Sequence, residues 1–426
     1  MNPMLIKQKL QSKTGRWNQI LRKGWEVYLN EGITEVLKTA PPFAGAVIFN
    51  SYLRNTHSRQ DFIDSDDLLR FDIPHAWLSQ NDDEAEITLK PPDQANFETR
   101  WKTGPEKFSP TYVSELRDVV LIGPDALRTL EDGRFLIEDP YDAMGDKRIY
   151  TSIIRLLKQN GRNSKSQLSA ILEPSNSDFD AVEPGPVFSL VGFPQSFYHW
   201  IIEFLPRIKY LRQYRRETGK NPTILIPERP PQYIIESLEL LGIDTDTCHP
   251  WKGGVKKFER FVYTSNPRNP NGLPHIVACH WLRNEMRSNV EIDEADSESR
   301  NIYISREDAD ARRVINEDAL LSVLSAYGFE KVVLSELSLK DQIQLFATAD
   351  TVLAPHGAGI VNIIYGINID VIELFGKNIQ QHYYNLSNLM GHNYNCLKCM
   401  PENQIDIVVD TAEVESCLDE VLTASE

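Results

Sequence analysis

From residue 301 to residue 375 short apolar runs alternate with amphipathic segments, and no other feature of the chain restricts its fold as much. The pattern predicts strands at 301–305, 331–334, 351–354 and 371–375, separated by helices at 317–327, 339–347 and 360–364. Strands joined through helices pair in parallel and need helices on both faces of the sheet. The middle of the chain reads in a similar way. Strands at 119–122 and 134–137 and an apolar run at 188–192 precede a helix at 197–214, a strand at 223–226, a helix at 232–241 and a strand at 260–264. The run Asn266-Pro-Arg-Asn-Pro-Asn-Gly272 is dense in turn residues and marks a boundary. Residues 5–37 carry helical spacing, whereas 61–110 are polar and predict loops and short hairpins. The expected organisation is an α/β chain in four parts. These are a helical and loop extension (1–110), a first Rossmann-like domain (111–272), a second (273–400) and an acidic tail with helical potential (401–426).

With 426 residues the chain has room for roughly two to three folding units. Lys and Arg total 45 against 61 Asp and Glu, and the resulting net charge of −16 disfavours a broad nucleic-acid or anionic-membrane footprint. The five cysteines are few and odd in number, which suits a reducing compartment. No signal peptide and no apolar stretch of the ~20 residues needed to span a bilayer is evident. A cytoplasmic location without a transmembrane segment is therefore expected, with peripheral membrane contact through the N-terminal helix left open.

Three clusters can carry chemistry. In Thr351-Val-Leu-Ala-Pro-His-Gly-Ala-Gly-Ile-Val-Asn362 a strand turns through glycines into a helix, where free N–H groups and a positive dipole end favour an anion. Gly357 and Gly359 let backbone approach that anion, and His356 can bond the same oxygens. A tight βα turn with no ligand has the same sequence. Glu373, near the C-terminal end of strand 371–375, is placed to accept ribose hydroxyls or to sit as a paired structural carboxylate. Ser305-Arg-Glu-Asp-Ala-Asp-Ala-Arg-Arg313 leaves the same rim and offers Arg306, Arg312 and Arg313 as forks for phosphate oxygens, unless they pair with Glu307 and Asp310. On the helix at 197–214, His199 and Glu203 are i,i+4 neighbours among apolar residues. Either can serve as a general base, or the two can form a buried bond without chemistry. Pro206 should kink or restart that helix. Asp308-Ala-Asp310 is a weak metal candidate and no metal site is expected. Cys396 and Cys399 read as buried thiols. Trp17, Trp25, Trp77 and Trp101 are core residues or sugar-stacking rings.

Taken together, Phe197-Tyr-His-Trp-Ile-Ile-Glu-Phe-Leu-Pro-Arg207, Ile304-Ser-Arg306 with Arg312-Arg313 and Asn316-Glu317, Pro355-His-Gly-Ala-Gly-Ile-Val-Asn362 and Val371-Ile-Glu-Leu-Phe375 resemble glycosyltransferase family 61. The resemblance extends over roughly 118–394. It implies a GT-B-like architecture, two Rossmann-like domains facing a cleft, and an inverting reaction, usually without a bound metal. The donor is a nucleotide sugar and the acceptor a glycan or lipid-linked saccharide hydroxyl, with no separate cofactor. By that resemblance Arg306, Arg312, Arg313, His356, Gly357, Ala358, Gly359, Asn362 and Glu373 hold the donor, and His199 or Glu203 is the base. The competing expectation is a non-catalytic carbohydrate-binding or scaffold protein that keeps the same shell.

Overall fold

A computed structural model describes residues 75–130, 182–265, 271–292, 300–403 and 405–424, with residues 23, 27, 28, 36, 62, 63, 134–136, 155, 268 and 269. The helix expected over 5–37, including Trp17 and Trp25, lies almost wholly outside these residues. The chain forms a mixed α/β structure around two main sheets.

The smaller sheet is parallel in every pairing. Its order is Phe329–Val332, Arg300–Ile304, Ala349–Pro355, Asp370–Phe375, Asn393–Lys398 and Gln94–Ala95. The strands are apolar on both sides because helices cover both faces. Leu339–Ala347, Ile276–Asn289 and His382–Met390 supply one cover and share a core with Ile302, Val352 and Val371. Glu317–Ala326 and Thr411–Ala424 cover the other face, where Leu320, Leu324, Val414 and Leu418 pack on Tyr303, Leu353 and Leu374. The C-terminal segment expected as an acidic tail is therefore part of the sheet's cover. Its carboxylates face outward while its apolar stripe is buried.

The larger sheet has nine strands. It runs Phe62–Ile63, Phe135–Leu136, Leu127–Leu130, Tyr112–Ile122, Val255–Thr264, Val182–Ser189, Thr223–Pro227 and His249–Trp251, with His75–Gln80 paired to Tyr112–Ile122 off that path. Val182–Ser189 begins earlier than its apolar run suggests, since Val182-Glu-Pro-Gly-Pro186 reads as a breaker. A register shift between Phe258 and Arg260 in the neighbouring strand accommodates the prolines, which strands tolerate at irregularities. Residues 75–108, expected as loops and hairpins, include the hairpin Ala85–Leu89/Gly104–Phe108 and also give a strand to each main sheet. Trp77 packs edge-on against Tyr214, and Trp101 lies 4.8 Å from Tyr384, so both are packing residues. One apolar core runs from Phe188 and Ile224 near the larger sheet to Ile302 and Val352 in the smaller. Among the described residues, no helix is long and apolar enough to cross a membrane.

A buried ionic knot fixes the larger sheet. Glu115 is fully buried and accepts bonds from Lys220 at 2.7 Å, Arg260 at 2.9 Å and the Tyr214 hydroxyl. Burial raises its pKa, but Lys220 and Tyr214 outweigh burial and hold the carboxyl below the ordinary glutamate value of 4.5. A lowered carboxylate pKa means that this stabilisation is complete above pH 4.5 and is lost as pH falls through the lowered value. Glu115→Gln should cost about 1–3 kcal/mol at pH 7 in urea unfolding, and the difference from wild type should shrink in acid below pH 4. Equal stability of the two proteins at pH 7 would contradict this account.

Candidate active site

In the smaller sheet, after the edge strand Gln94–Ala95, the chain enters the centre at Arg300–Ile304, moves outward to Phe329–Val332, and returns to the other side with Ala349–Pro355. The order therefore reverses between Arg300–Ile304 and Ala349–Pro355. In open α/β sheets, ligands bind beyond the C-terminal strand ends at this reversal. Ser305-Arg306 and Pro355-His356-Gly357 are the residues that leave those two ends, and a cleft of about 250 Å³ opens there, lined in part by Ser305, Arg306, Pro355, Gly357 and Gly359.

Arg306 lies directly on Gly357. A Cβ at Gly357 would stand 2.2 Å from Arg306 Nη1, so the guanidinium occupies the space that any side chain there would fill. Gly357 has extended backbone, φ −174°, so the glycine is required by close approach and not by its dihedrals. The Nε and Nη2 groups of Arg306 donate to the Ala311 carbonyl at 3.2 and 3.1 Å. Burial, and next the neighbouring Arg312, push the Arg306 pKa down, although a guanidinium stays charged. Arg312 takes a left-handed backbone, φ 63°, and is exposed. Among the described residues neither guanidinium forms a salt bridge; Arg306 lines the cleft together with Asp308, and Arg312 lies close enough to act on Arg306 electrostatically. The 3-10 helix Ala358–Tyr365 begins at the cleft floor with no side chain capping it. A Cβ at Gly359 would stand 2.5 Å from Leu334 Cδ1.

Three residues expected to touch a ligand are otherwise occupied. Arg313 donates to Asp406 at 2.8 Å, and backbone bonds tie 312–315 to Ile405 and Ile407, so it anchors the Met400–Glu402/Asp406–Val408 hairpin. Asn362 is fully buried and donates to Gln342, a residue of the cleft lining, at 2.9 Å. Glu373 is fully buried. One oxygen pairs with His356 Nδ1 and the other accepts from the Tyr394 hydroxyl at 2.5 Å, and burial keeps both away from the cleft. Its inward position follows from its strand being covered on both faces. His356, 8 % exposed, stacks on Phe375 and presents Nε2 to Gln380 at 3.1 Å.

The second histidine–glutamate pair lies across from the first. Phe197–His199 runs into a π-helical turn, Trp200–Phe204, and the helix restarts after Pro206 as Arg207–Thr218. π-turns recur at functional sites. His199 Nδ1 meets Glu203 Oε1 at 2.5 Å, and that oxygen also accepts from Arg268 Nε at 2.9 Å and Nη2 at 2.8 Å. Glu203 is buried, whereas His199 is partly exposed and its Nε2 has no partner among the described residues. The turn-dense run that marks a boundary in the sequence thus supplies the cation that pairs with Glu203. Its Asn269 is itself buried and bonds Glu106.

Tyr198, Tyr383 and His382 connect the two pairs. Ring centroids lie at 5.8 Å for Tyr198–Tyr383, 5.5 Å for His356–Tyr383, 5.1 Å for Tyr198–His382 and 6.3 Å for His356–His382. His382, Arg268 and Tyr394 were not singled out by sequence; the string Gln380-Gln-His-Tyr-Tyr384 was the available hint. Among the described residues no His, Cys, Asp or Glu cluster is arranged to hold a metal ion. A larger hollow of about 630 Å³ lies near Arg212 and Lys340, but Glu236, Glu239 and Glu285 line it and Arg212 pairs with Glu285 at 2.6 Å, so it suits an anion poorly.

Residues 197–368 match the family model described as Glycosyltransferase 61. The match begins at the π-helical segment and includes Arg306 and the 356–359 turn. No curated protein matches the chain. If the Arg306–Gly357 contact builds an anion site, Gly357→Ala should displace the guanidinium and weaken inorganic diphosphate binding about tenfold in calorimetry, with little change in unfolding midpoint. Unchanged affinity would refute it.

Proposed function

We infer, from the match of residues 197–368 to the Glycosyltransferase 61 model, that the chain is a glycosyltransferase. From that premise we propose that it moves a sugar from a nucleotide-sugar donor to a hydroxyl of a glycan or lipid-linked saccharide, with inversion, in a GT-B-like arrangement. The donor is held by the smaller sheet, and the base comes from the segment that follows Val182–Ser189 of the larger. The observation that carries the reading is the pair of adjacent arginines, Arg306 and Arg312, at the strand-order reversal, with no carboxylate salt bridge among the described residues. Like charges side by side are unfavourable until an anion joins them, and a diphosphate supplies that charge.

In this proposal the diphosphate lies over Gly357, Ala358 and Gly359 and takes bonds from Arg306, Arg312 and the first N–H groups of Ala358–Tyr365. His356 Nε2 exchanges Gln380 for a phosphate oxygen, and Glu373 with Tyr394 holds the ring in place. Glu373 and Arg313 are positioning residues: the first orients His356, and the second fixes the loop that presents Arg312.

His199 is assigned as the base. Glu203 already serves Arg268 and His199, whereas Nε2 of His199 is open to a proton. The acceptor hydroxyl gives its proton to Nε2 as its oxygen bonds the anomeric carbon, on the face opposite the diphosphate. The bond from that carbon to the phosphate oxygen breaks, and its electron pair leaves on the nucleoside diphosphate. The two arginines and the helix start take up the developing charge, so no step is routed through a metal ion. Closure around donor and acceptor keeps water from the anomeric carbon.

The test is a donor screen with nucleotide sugars followed by three substitutions. Arg306→Ala should weaken nucleoside diphosphate binding about tenfold or more. His199→Ala and Glu203→Gln should bind within about threefold of wild type while transfer falls about a hundredfold or more for His199→Ala. Wild-type turnover by His199→Ala would refute the base assignment.

A further inference from the structure

His382 opens the helix His382–Met390, outside the region matched to the family. Its ring is edge-on to Tyr198 at 5.1 Å and 6.3 Å from His356, between the two histidine–glutamate pairs. Burial, then Arg268, His356 and His199, push its pKa down to about 4, so the imidazole is neutral near pH 7. A neutral imidazole has one N–H donor and one bare acceptor nitrogen. Among the described residues neither nitrogen has a hydrogen-bond partner, and the side chain remains partly exposed. Of its neighbours, His356 is engaged with Glu373 and Gln380 and Glu203 with Arg268 and His199, while Nε2 of His199 is open like the His382 ring.

A half-buried polar ring without a partner is unfavourable unless a ligand completes it. The chemistry of the ring says which ligand. A phosphate offers only acceptors and would favour the charged ring, which Arg268 and the neighbouring histidines oppose. A hydroxyl both donates and accepts, and so can pair with whichever nitrogen of a neutral ring faces it, the bare one or the N–H. The position between the proposed base, His199, and the proposed diphosphate site is where the transferred sugar ring must lie. We propose that His382 is a specificity-determining residue that reads a hydroxyl of the donor's sugar ring. The inference rests on the donor reading given above and adds to it the group that senses the sugar.

The experiment separates the two. Uridine, guanosine and thymidine diphosphate hexoses are screened on the full chain, and the tightest binder and its parent nucleoside diphosphate are then titrated into wild type, His382→Phe and His382→Gln. Phe keeps the ring against Tyr198 without its nitrogens, and Gln keeps a donor and an acceptor. The expected result is about tenfold weaker nucleotide-sugar binding by His382→Phe, nucleoside diphosphate binding within about twofold, and intermediate sugar binding by His382→Gln. Equal nucleotide-sugar affinity in wild type and His382→Phe overturns the inference, as does an equal loss for both ligands in both variants. If wild type binds no nucleoside diphosphate, the donor reading itself falls and the inference with it. His382→Gln decides alone if the Phe variant does not fold: wild-type affinity for both ligands together with unaltered preference among hexoses then overturns the proposal.

Discussion

The contact between the Arg306 guanidinium and the bare α-carbon of Gly357 holds the site together. It joins the ends of the two strands between which the sheet order reverses, and it keeps a charged group at the mouth of a cleft in a protein of net charge −16. Local positive charge of this kind survives in an acidic chain because the Ala311 carbonyl holds the guanidinium and Arg313 ties the loop to Asp406. The cost of placing Arg306 beside Arg312 is offset in part by Asp308, and further negative charge from a ligand would offset the rest, which ties the architecture to the chemistry proposed for it.

The two histidine–glutamate pairs are alike in form and differ in setting. Glu373 is sealed in a sheet covered on both faces and is bonded by a tyrosine and a histidine. Glu203 sits on a π-helical turn and is paired with a guanidinium. The first arrangement orients a nearly buried ring between the cleft-lining Pro355 and Gly357; the second leaves a partly exposed imidazole. Placing them opposite each other depends on the core shared by both sheets and on the rings of Tyr198 and Tyr383, which set the spacing.

How much of this was legible in the sequence follows from what each residue type reports. The parallel strands from 300 to 375 were visible because strands buried on both faces become continuous apolar runs. His199, Glu203, Arg306 and the 356–359 turn stood out because polar or glycine residues interrupt such runs. Asn393–Lys398 was not visible, since Asn393-Tyr-Asn-Cys-Leu-Lys398 has no apolar run and its buried Asn395 reads as a turn residue. The hydroxyl that holds Glu373 was missed with it. Arg268 hid in a string of Asn, Pro and Gly, where composition signals a turn and says nothing of a buried ion pair. Glu373 sits buried between His356 and Tyr394, and strand position alone does not reveal this, because it fixes which end of a sheet a residue is near and not whether its carboxylate points into the core. The amphipathic C-terminal helix showed its acidic face in the composition and its apolar stripe only against the sheet.

The central claim is that a diphosphate binds where Arg306 meets the 357–359 turn. A crystal structure of the protein with a bound nucleoside diphosphate tests it most directly. The account predicts phosphate oxygens within about 3 Å of Arg306 Nη1 and of the Ala358 and Gly359 N–H groups. A diphosphate lodged in the hollow near Arg212 and Lys340, or one leaving Arg306 and Arg312 untouched, would contradict it.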